Sequence, residues 1–266
     1  MKHFYLIANR DKSDAVELAK DVEKRLAELG CVCTRKITNE TECVLVLGGD
    51  GTLLQAVRDL RGFGLPFLGI NMGTLGYLAE VDREHVEDAL QQLIAGPVET
   101  ETRMMLFGQV IRDGRTVYED AALNDIVIGS RGLTVMHFKV YVNGEYLTTY
   151  QADGMVVASP TGSTAYNLSA GGPVVHPRAA LLVLTPVSPH TLISRSIVLE
   201  SNSVVELEMV EHPSRRSADS LVSLDGNEAM SLLPGDHIRI SKSQETIRLV
   251  KYNKLSFLEA LRMKMG

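Results

Sequence analysis

The chain has 266 residues, with 27 basic and 33 acidic side chains and a formal net charge of −6. That length holds one large domain or two ordinary ones and buries enough surface to fold without a disulfide or metal staple. A 45% hydrophobic and 23% charged composition excludes a disordered chain or a fibre.

The longest apolar run, residues 179–184, is too short to cross a bilayer, so no membrane is expected as partner. A mildly acidic chain with no basic block is a poor match for duplex nucleic acid, so none is expected there either. Residues 1–10 read as a first strand rather than a signal peptide. Cys31, Cys33 and Cys43 fit no zinc spacing and leave one thiol over in any pairing. They read as small buried hydrophobes in a reducing cytoplasm, and no metal site is expected from side chains.

The first hundred residues alternate strand and helix. Residues 4–8 are an apolar strand. Ser13 is placed to cap a helix over 13–29 with Val16, Ala19, Val22, Leu26 and Leu29 on one face, and Gly30 closes it. Residues 43–47 form a buried strand that runs into Gly48-Gly49-Asp50-Gly51-Thr52, and 53–60 a helix. Residues 65–70 are another strand, followed by the polar segment 71–77, and a helix starts at Asp82 and ends before Gly96-Pro97. Strands separated by helices predict an α/β domain with a doubly wound parallel sheet.

After Pro97 the period changes to two. Asp113-Gly114, Asn143-Gly144 and Asp225-Gly226 are hairpin turns in sequence. Over 135–142, Val135, His137, Lys139 and Tyr141 alternate with Met136, Phe138, Val140 and Val142. Further strands are predicted over 155–159, 181–187, 204–209, 237–241 and 246–250, with a helix after Gly162 and a terminal one over 256–264 bearing Phe257, Leu258 and Leu261. This is a mainly β, sandwich-like C-terminal domain. The predicted division is 1–100, 101–250 and a C-terminal helix in 251–266 returning to the first domain.

Four segments concentrate polar chemistry. In Gly48-Gly49-Asp50-Gly51-Thr52, bare backbone and a helix start favour a phosphate, yet the carboxylate repels one unless it has chemical work. As an alternative, Asp50 simply caps the helix. Gly73 and Gly76 follow a strand end, where open α/β sheets bind ligands. Asn124-Asp125 interrupts an apolar stretch and by itself reads as an exposed turn rather than a binding site. Residues 153–173 offer many hydroxyls and backbone donors and almost no charge, which suits hydrogen bonding to a nucleoside. Walker, dinucleotide-fingerprint, zincin and nucleophile-elbow motifs are absent from the sequence.

Taken in order, Gly48-Gly49-Asp50-Gly51-Thr52, the 69–78 segment, Asn124-Asp125 and the 153–173 block closely resemble bacterial NAD kinases. The first loop alone is shared with phosphofructokinases and diacylglycerol-type lipid kinases, whereas the last block is specific. The resemblance implies transfer of the γ-phosphoryl of ATP, or of polyphosphate, to the 2′-hydroxyl of the adenosine ribose of NAD, with Mg²⁺ accompanying ATP. It implies Asp50 as base, and Gly49 and Gly51 as the positions where the loop approaches phosphate. It further implies Asn124 and Asp125 at adenine and ribose hydroxyls and Asp153 and Ser169 toward nicotinamide, with Thr164, Ala165 and Tyr166 lining the nucleotide pocket. A cytoplasmic homo-oligomer, a tetramer or dimer, is also implied. Three positions depart from the common pattern: Asp125 where many relatives carry Glu, Gln151-Ala152 where many carry Arg-Gly, and Tyr77 for Phe.

Overall fold

The computed structural model describes residues 1–73, 76–132, 135–190, 195–210, 220–252 and 256–265. Thr74 and Leu75 of the 69–78 segment lie outside the described residues. In chain order the first elements are β1 (His3–Ala8), α1 (Ser13–Glu28), β2 (Val32–Thr34), β3 (Cys43–Gly48), α2 (Asp50–Leu60), β4 (Pro66–Asn71) and α3 (Val86–Ala95). There follow β5 (Thr100–Arg112), β6 (Arg115–Ala122), β7 (Asp125–Ser130), β8 (Met136–Val142), β9 (Glu145–Ala152), β10 (Gly154–Ala158), α4 (Tyr166–Ser169), β11 (Leu181–Val187) and β12 (Ile197–Glu200). The last are β13 (Val205–Met209), β14 (Ser220–Leu224), β15 (Asn227–Ser231), β16 (His237–Val250) and α5 (Phe257–Met265). The chain forms two compact units, Met1–Arg103 with Thr246–Gly266, and Met104–Glu245.

The first unit is α/β. Its strands lie in the order β2-β1-β3-β4, followed by the C-terminal end of β16, and every pairing is parallel. β3 and β4 are buried at every residue, the signature of strands covered on both faces. Leu45, Leu47, Leu68 and Ile70 pack against Leu18, Val22 and Leu26 of α1 and Val86, Leu90 and Leu93 of α3. Because β1 lies between β2 and β3, the order reverses there, and the carboxyl ends of β1 and β3 form the place where such sheets take ligands. Asn9, just past β1, donates its N–H to Leu47 O at 2.9 Å, and its side-chain amide donates to Thr52 Oγ1 at 3.3 Å. The glycine loop is therefore anchored at that point.

The second unit is antiparallel. One sheet runs β12-β11-β10-β7-β14-β15, and in the other β13 pairs with both β16 and β8, which pairs with β9. Ile126, Ile128, Met155, Val157, Leu182 and Leu184 of the first sheet share one core with Phe138, Val140, Leu207, Ile238 and Ile240 of the second. The alternation over 135–142 places Met136, Phe138 and Val140 in that core. At all three predicted hairpins both turn residues have positive φ, with Asp113 at 51°, Asn143 at 53° and Asp225 at 50°, each before a glycine.

Four expectations are corrected. Ser13 is the first helical residue rather than the cap; Lys12 occupies the cap position without a side-chain bond, and Ser13 Oγ donates to Asp14. Val16 faces outward, 36% exposed, while Ala15 and Leu18 face the core. The strands predicted over 237–241 and 246–250 are one strand, β16. Its polar middle, residues 242–246, marks where the chain passes from one unit to the other. In α5, Leu258 is 69% exposed, so the inward side is carried by Phe257, Leu261 and Lys264 instead. The three cysteines are free, with Cys31 and Cys43 buried. Among the described residues no helix is long and apolar enough to cross a membrane.

Candidate active site

In the first unit, β3 ends at Gly48, Gly49 takes the extended cap position and α2 begins at Asp50. Asp50 is thus not the cap, and its carboxylate makes no capping bond. It reaches the segment after β4 instead. Oδ2 accepts the N–H of Tyr77 at 2.8 Å, and Oδ1 accepts those of Leu78 and Ala79 at 3.2 and 3.3 Å. Gly76 is required by this approach, because a Cβ there would overlap the Asp50 carboxylate. An ionised carboxylate offers about four lone-pair sites. Two on Oδ1 and one on Oδ2 are taken, which leaves Oδ2 able to accept one more proton-bearing group.

Gly49 and Gly51 differ from Gly76. A Cβ at either would meet no protein atom within 4 Å. The protein's own packing does not demand glycine there, and the space beside both backbones is open. The neighbouring segment is held from below: Asn71 Nδ2 donates to Gly73 O at 2.7 Å, Asn71 N–H donates to Val81 O at 2.7 Å, and Glu80 pairs with Lys251. Lys264 of α5 sets its ammonium 3.7 Å from the centre of the Tyr77 ring.

In the second unit the turn at Leu123-Asn124 is gripped by Asp225 from the β14–β15 hairpin. The Asp225 carboxylate accepts the N–H groups of Leu123 at 2.8 Å, Asn124 at 2.7 Å and Asp125 at 3.3 Å. Asp125 is only 4% exposed. Burial, and then the nearby Asp225 charge, push its carboxyl up to about 7. Asn124 O accepts Ser159 N–H at 2.8 Å, and Gly162 packs so tightly on that carbonyl that a Cβ would overlap it. The Asn124 turn and the 159–166 segment therefore form one constellation, with the Asn124 amide left free of hydrogen bonds to described residues.

Many of the hydroxyls in the 153–173 block are spent on structure. Ser159 Oγ donates to Leu123 O at 2.5 Å, Ser163 Oγ donates to Pro160 O at 2.8 Å, and Asn167 bridges Ser163 O, Pro173 O and the Thr185 hydroxyl. Less enclosed are Thr164 and Ala165, both half-buried, with the Thr164 hydroxyl donating to Thr161 O at 3.3 Å, and Tyr166 at 44% exposed and Ser169 exposed. Asp153 is exposed at the far end of β10. Ala158 pairs with Asp125 across the sheet, so at 3.3 Å per residue Asp153 stands roughly 16 Å along the strand from that partner. The geometry brings Asn124, Asp125, Thr164 and Ala165 into one neighbourhood and leaves Asp153 outside it. Asp225 was visible in sequence only as a turn residue, because its partners lie a hundred positions away.

Known proteins similar to this chain share one family. Residues 32–98 match the model of the ATP-NAD kinase N-terminal domain, and residues 123–252 that of the ATP-NAD kinase C-terminal domain. A relative named NAD kinase from Lachnospira eligens is 41% identical over the whole of both chains. Another of that name from Agathobacter rectalis is 40% identical over 100% of this chain and 99% of its own. The crystal structure of an NAD kinase from Archaeoglobus fulgidus in complex with ATP superposes with a TM-score of 0.75 at 25% identity, covering 96% of this chain and 95% of that one. A yeast NADH kinase complexed with NADH shares the fold with a TM-score of 0.89 at 23% identity, covering 100% of this chain and 89% of its own. With both domain models matched and full-length relatives at 40–41% identity, this chain belongs to the ATP-NAD kinase family.

Proposed function

We infer that the chain phosphorylates NAD, moving the γ-phosphoryl of ATP to the 2′-hydroxyl of the adenosine ribose and releasing NADP and ADP. One observation carries the assignment of roles. Asp50 is immobilised by three N–H donors yet keeps a lone pair on Oδ2, beside a loop whose Gly49 and Gly51 leave open space. Such a carboxylate accepts the 2′-hydroxyl proton as the oxygen attacks the γ-phosphorus. Phosphoryl transfer passes through a loose transition state, so positioning of the acceptor and neutralisation of charge carry most of the catalysis.

The open loop backbone at Gly49 and Gly51 receives donor phosphate. Asn124, whose amide makes no hydrogen bond to a described residue, and the buried Asp125 take the adenine and ribose hydroxyls. Thr164, Ala165 and Tyr166 line the nucleotide pocket, with Ser169 and Asp153 toward the nicotinamide. Magnesium enters on the ATP phosphates as part of the substrate. Mg²⁺ usually binds through substrate phosphates with one or two carboxylates, and no described group of three or more His, Cys, Asp or Glu is placed to hold an ion alone. Polyphosphate as second donor, a cytoplasmic setting and a homo-oligomer of two or four chains belong to the same reading. Edge strands β9 and β12, with exposed Tyr146 and Val198, support self-association.

The test is incubation of the purified protein with NAD, ATP and Mg²⁺, and detection of product with an NADP-specific dehydrogenase. NADP should form, with little phosphorylation of glycerolipid or fructose 6-phosphate. Robust lipid phosphorylation without NADP overturns the assignment. Light scattering that finds only single chains at micromolar concentration removes the oligomer.

A further inference from the structure

Asp50 presents a negative charge where the proposed reaction brings a polyphosphate, and a protein cation beside it, in addition to the Mg²⁺ on the donor, offsets that repulsion. Several cations of this unit are engaged. Arg25 pairs with Glu87, Arg35 with Glu23 and Lys251 with Glu80. Lys264 is different. It lies in the last turn of α5, half-buried, with the Tyr77 ring 3.7 Å beneath its ammonium. It makes no ion pair with a described residue.

The contact aims the cation. The backbone N–H of the same Tyr77 donates to Asp50 Oδ2 at 2.8 Å, so one residue fixes both the carboxylate and the ammonium. Burial lowers the pKa of Lys264, and the charge of Asp50 opposes that shift. A half-buried ammonium over a ring, drawn toward a carboxylate but not paired with it, gains most from an incoming anion.

We propose that Lys264 is a donor-binding residue whose ammonium meets the phosphoanhydride chain of the phosphate donor beside Asp50. The inference rests on the proposed kinase reaction and adds to it the cation that faces the donor. The competing role is a pin that holds α5 on Tyr77.

Lys264→Met separates the two, because it keeps an aliphatic stem over Tyr77 and removes the charge. Lys264→Arg restores the charge. Calorimetric titration with inorganic tripolyphosphate, and separately with NAD, reads binding, and the coupled assay reads turnover. Lys264→Met should weaken tripolyphosphate binding and raise the KM for ATP by about ten- to hundredfold, as for one lost charge-assisted hydrogen bond. NAD affinity and Tm should stay near wild type, and Lys264→Arg should recover most of the loss. ATP and inorganic polyphosphate should suffer together as donors.

Unchanged tripolyphosphate affinity in Lys264→Met overturns the assignment. So does a matched fall in Tm and NAD binding, which marks a pin, equal loss in the arginine variant, or a loss confined to ATP. If the wild-type protein makes no NADP, the kinase reading falls, while the tripolyphosphate titration still decides the role of Lys264.

Discussion

Each unit contains a turn held by one carboxylate, and the two are built alike. Asp50 takes the N–H groups of residues 77, 78 and 79; Asp225 takes those of 123, 124 and 125. In each case an irregular segment that would otherwise leave backbone donors unpaired is fixed by a side chain distant in sequence. The difference lies in the division of labour. In the first unit, the carboxylate that holds the loop is also the proposed base. In the second, Asp225 holds the turn, and Asp125, almost fully buried, is the proposed ligand group. The first arrangement couples structure to chemistry in one residue; the second permits them to be separated by mutation.

The largest expected effect follows from that coupling. Asp50→Asn removes the base and also one of the two oxygens that hold residues 77–79, turning an amide N–H toward backbone donors. A general base contributes typically about 10²–10⁴-fold, so kcat should fall by that range. Loss of hydrogen bonds to a charged acceptor should lower stability by about 1–3 kcal/mol. Stopped or steady-state turnover, read with a melting curve, checks both. Turnover near wild type would sink the assignment of Asp50 as base, whatever the melting curve does.

Asp225→Ala tests the separated arrangement. It leaves the N–H groups of 123–125 without their acceptor at a cost of about 1–3 kcal/mol. The KM for NAD should rise by about tenfold as the turn loosens, with a smaller change in kcat than Asp50→Asn produces. Removing the charge also withdraws one of the two causes of the raised Asp125 pKa. Equal losses of kcat in the two variants would erase the distinction between the units.

Asp125 gives the pH dependence. Its folded pKa, about 7, lies above the ordinary aspartate value of 3.8. Between those values the folded state binds more protons than the unfolded state, so stability declines as pH rises from about 4 to about 7. Affinity for a ribose hydroxyl should run the other way, because the ionised carboxylate is the better acceptor. Asp125→Asn should therefore raise Tm by more at pH 8 than at pH 5, and should flatten the pH profile of the KM for NAD. An identical pH profile in wild type and variant would remove Asp125 from nucleotide binding.

Much of this was legible in the sequence, and the divide is physical. The runs at β3 and β4 are apolar throughout because both faces of a parallel strand are covered, and they read directly as buried strands. The Asp-Gly and Asn-Gly hairpins read correctly because φ > 0 at both positions is a local demand. The unread features are long-range. Ser13 looked like a cap because its neighbours suit one, but the chain enters α1 a residue earlier. Asp225 looked like a turn residue because its grip on 123–125 depends on the pairing of β7 with β14. Lys264 sat in a helix read by its apolar residues, and only the fold brings it over Tyr77. The sequence motifs grouped the Ser/Thr-rich block as one binding surface, whereas the hydroxyls of Ser159, Ser163 and Thr164 brace backbone carbonyls.

The smallest effect is the cleanest. Gly51 is the second residue of α2, and a Cβ there would meet no protein atom within 4 Å. On protein grounds alone alanine is the better residue, since glycine within a helix costs about 0.5–1 kcal/mol relative to alanine. Gly51→Ala should then raise stability by up to that amount, which corresponds to a gain in Tm of about 1–4 °C for a chain of this size. If the open space beside the backbone receives donor phosphate, the added methyl crowds it, and the KM for ATP should rise severalfold while the KM for NAD holds. The two readouts move in opposite directions on one methyl group. A stabler enzyme with unchanged ATP kinetics would show that the glycine is idle, and would move donor phosphate away from the start of α2.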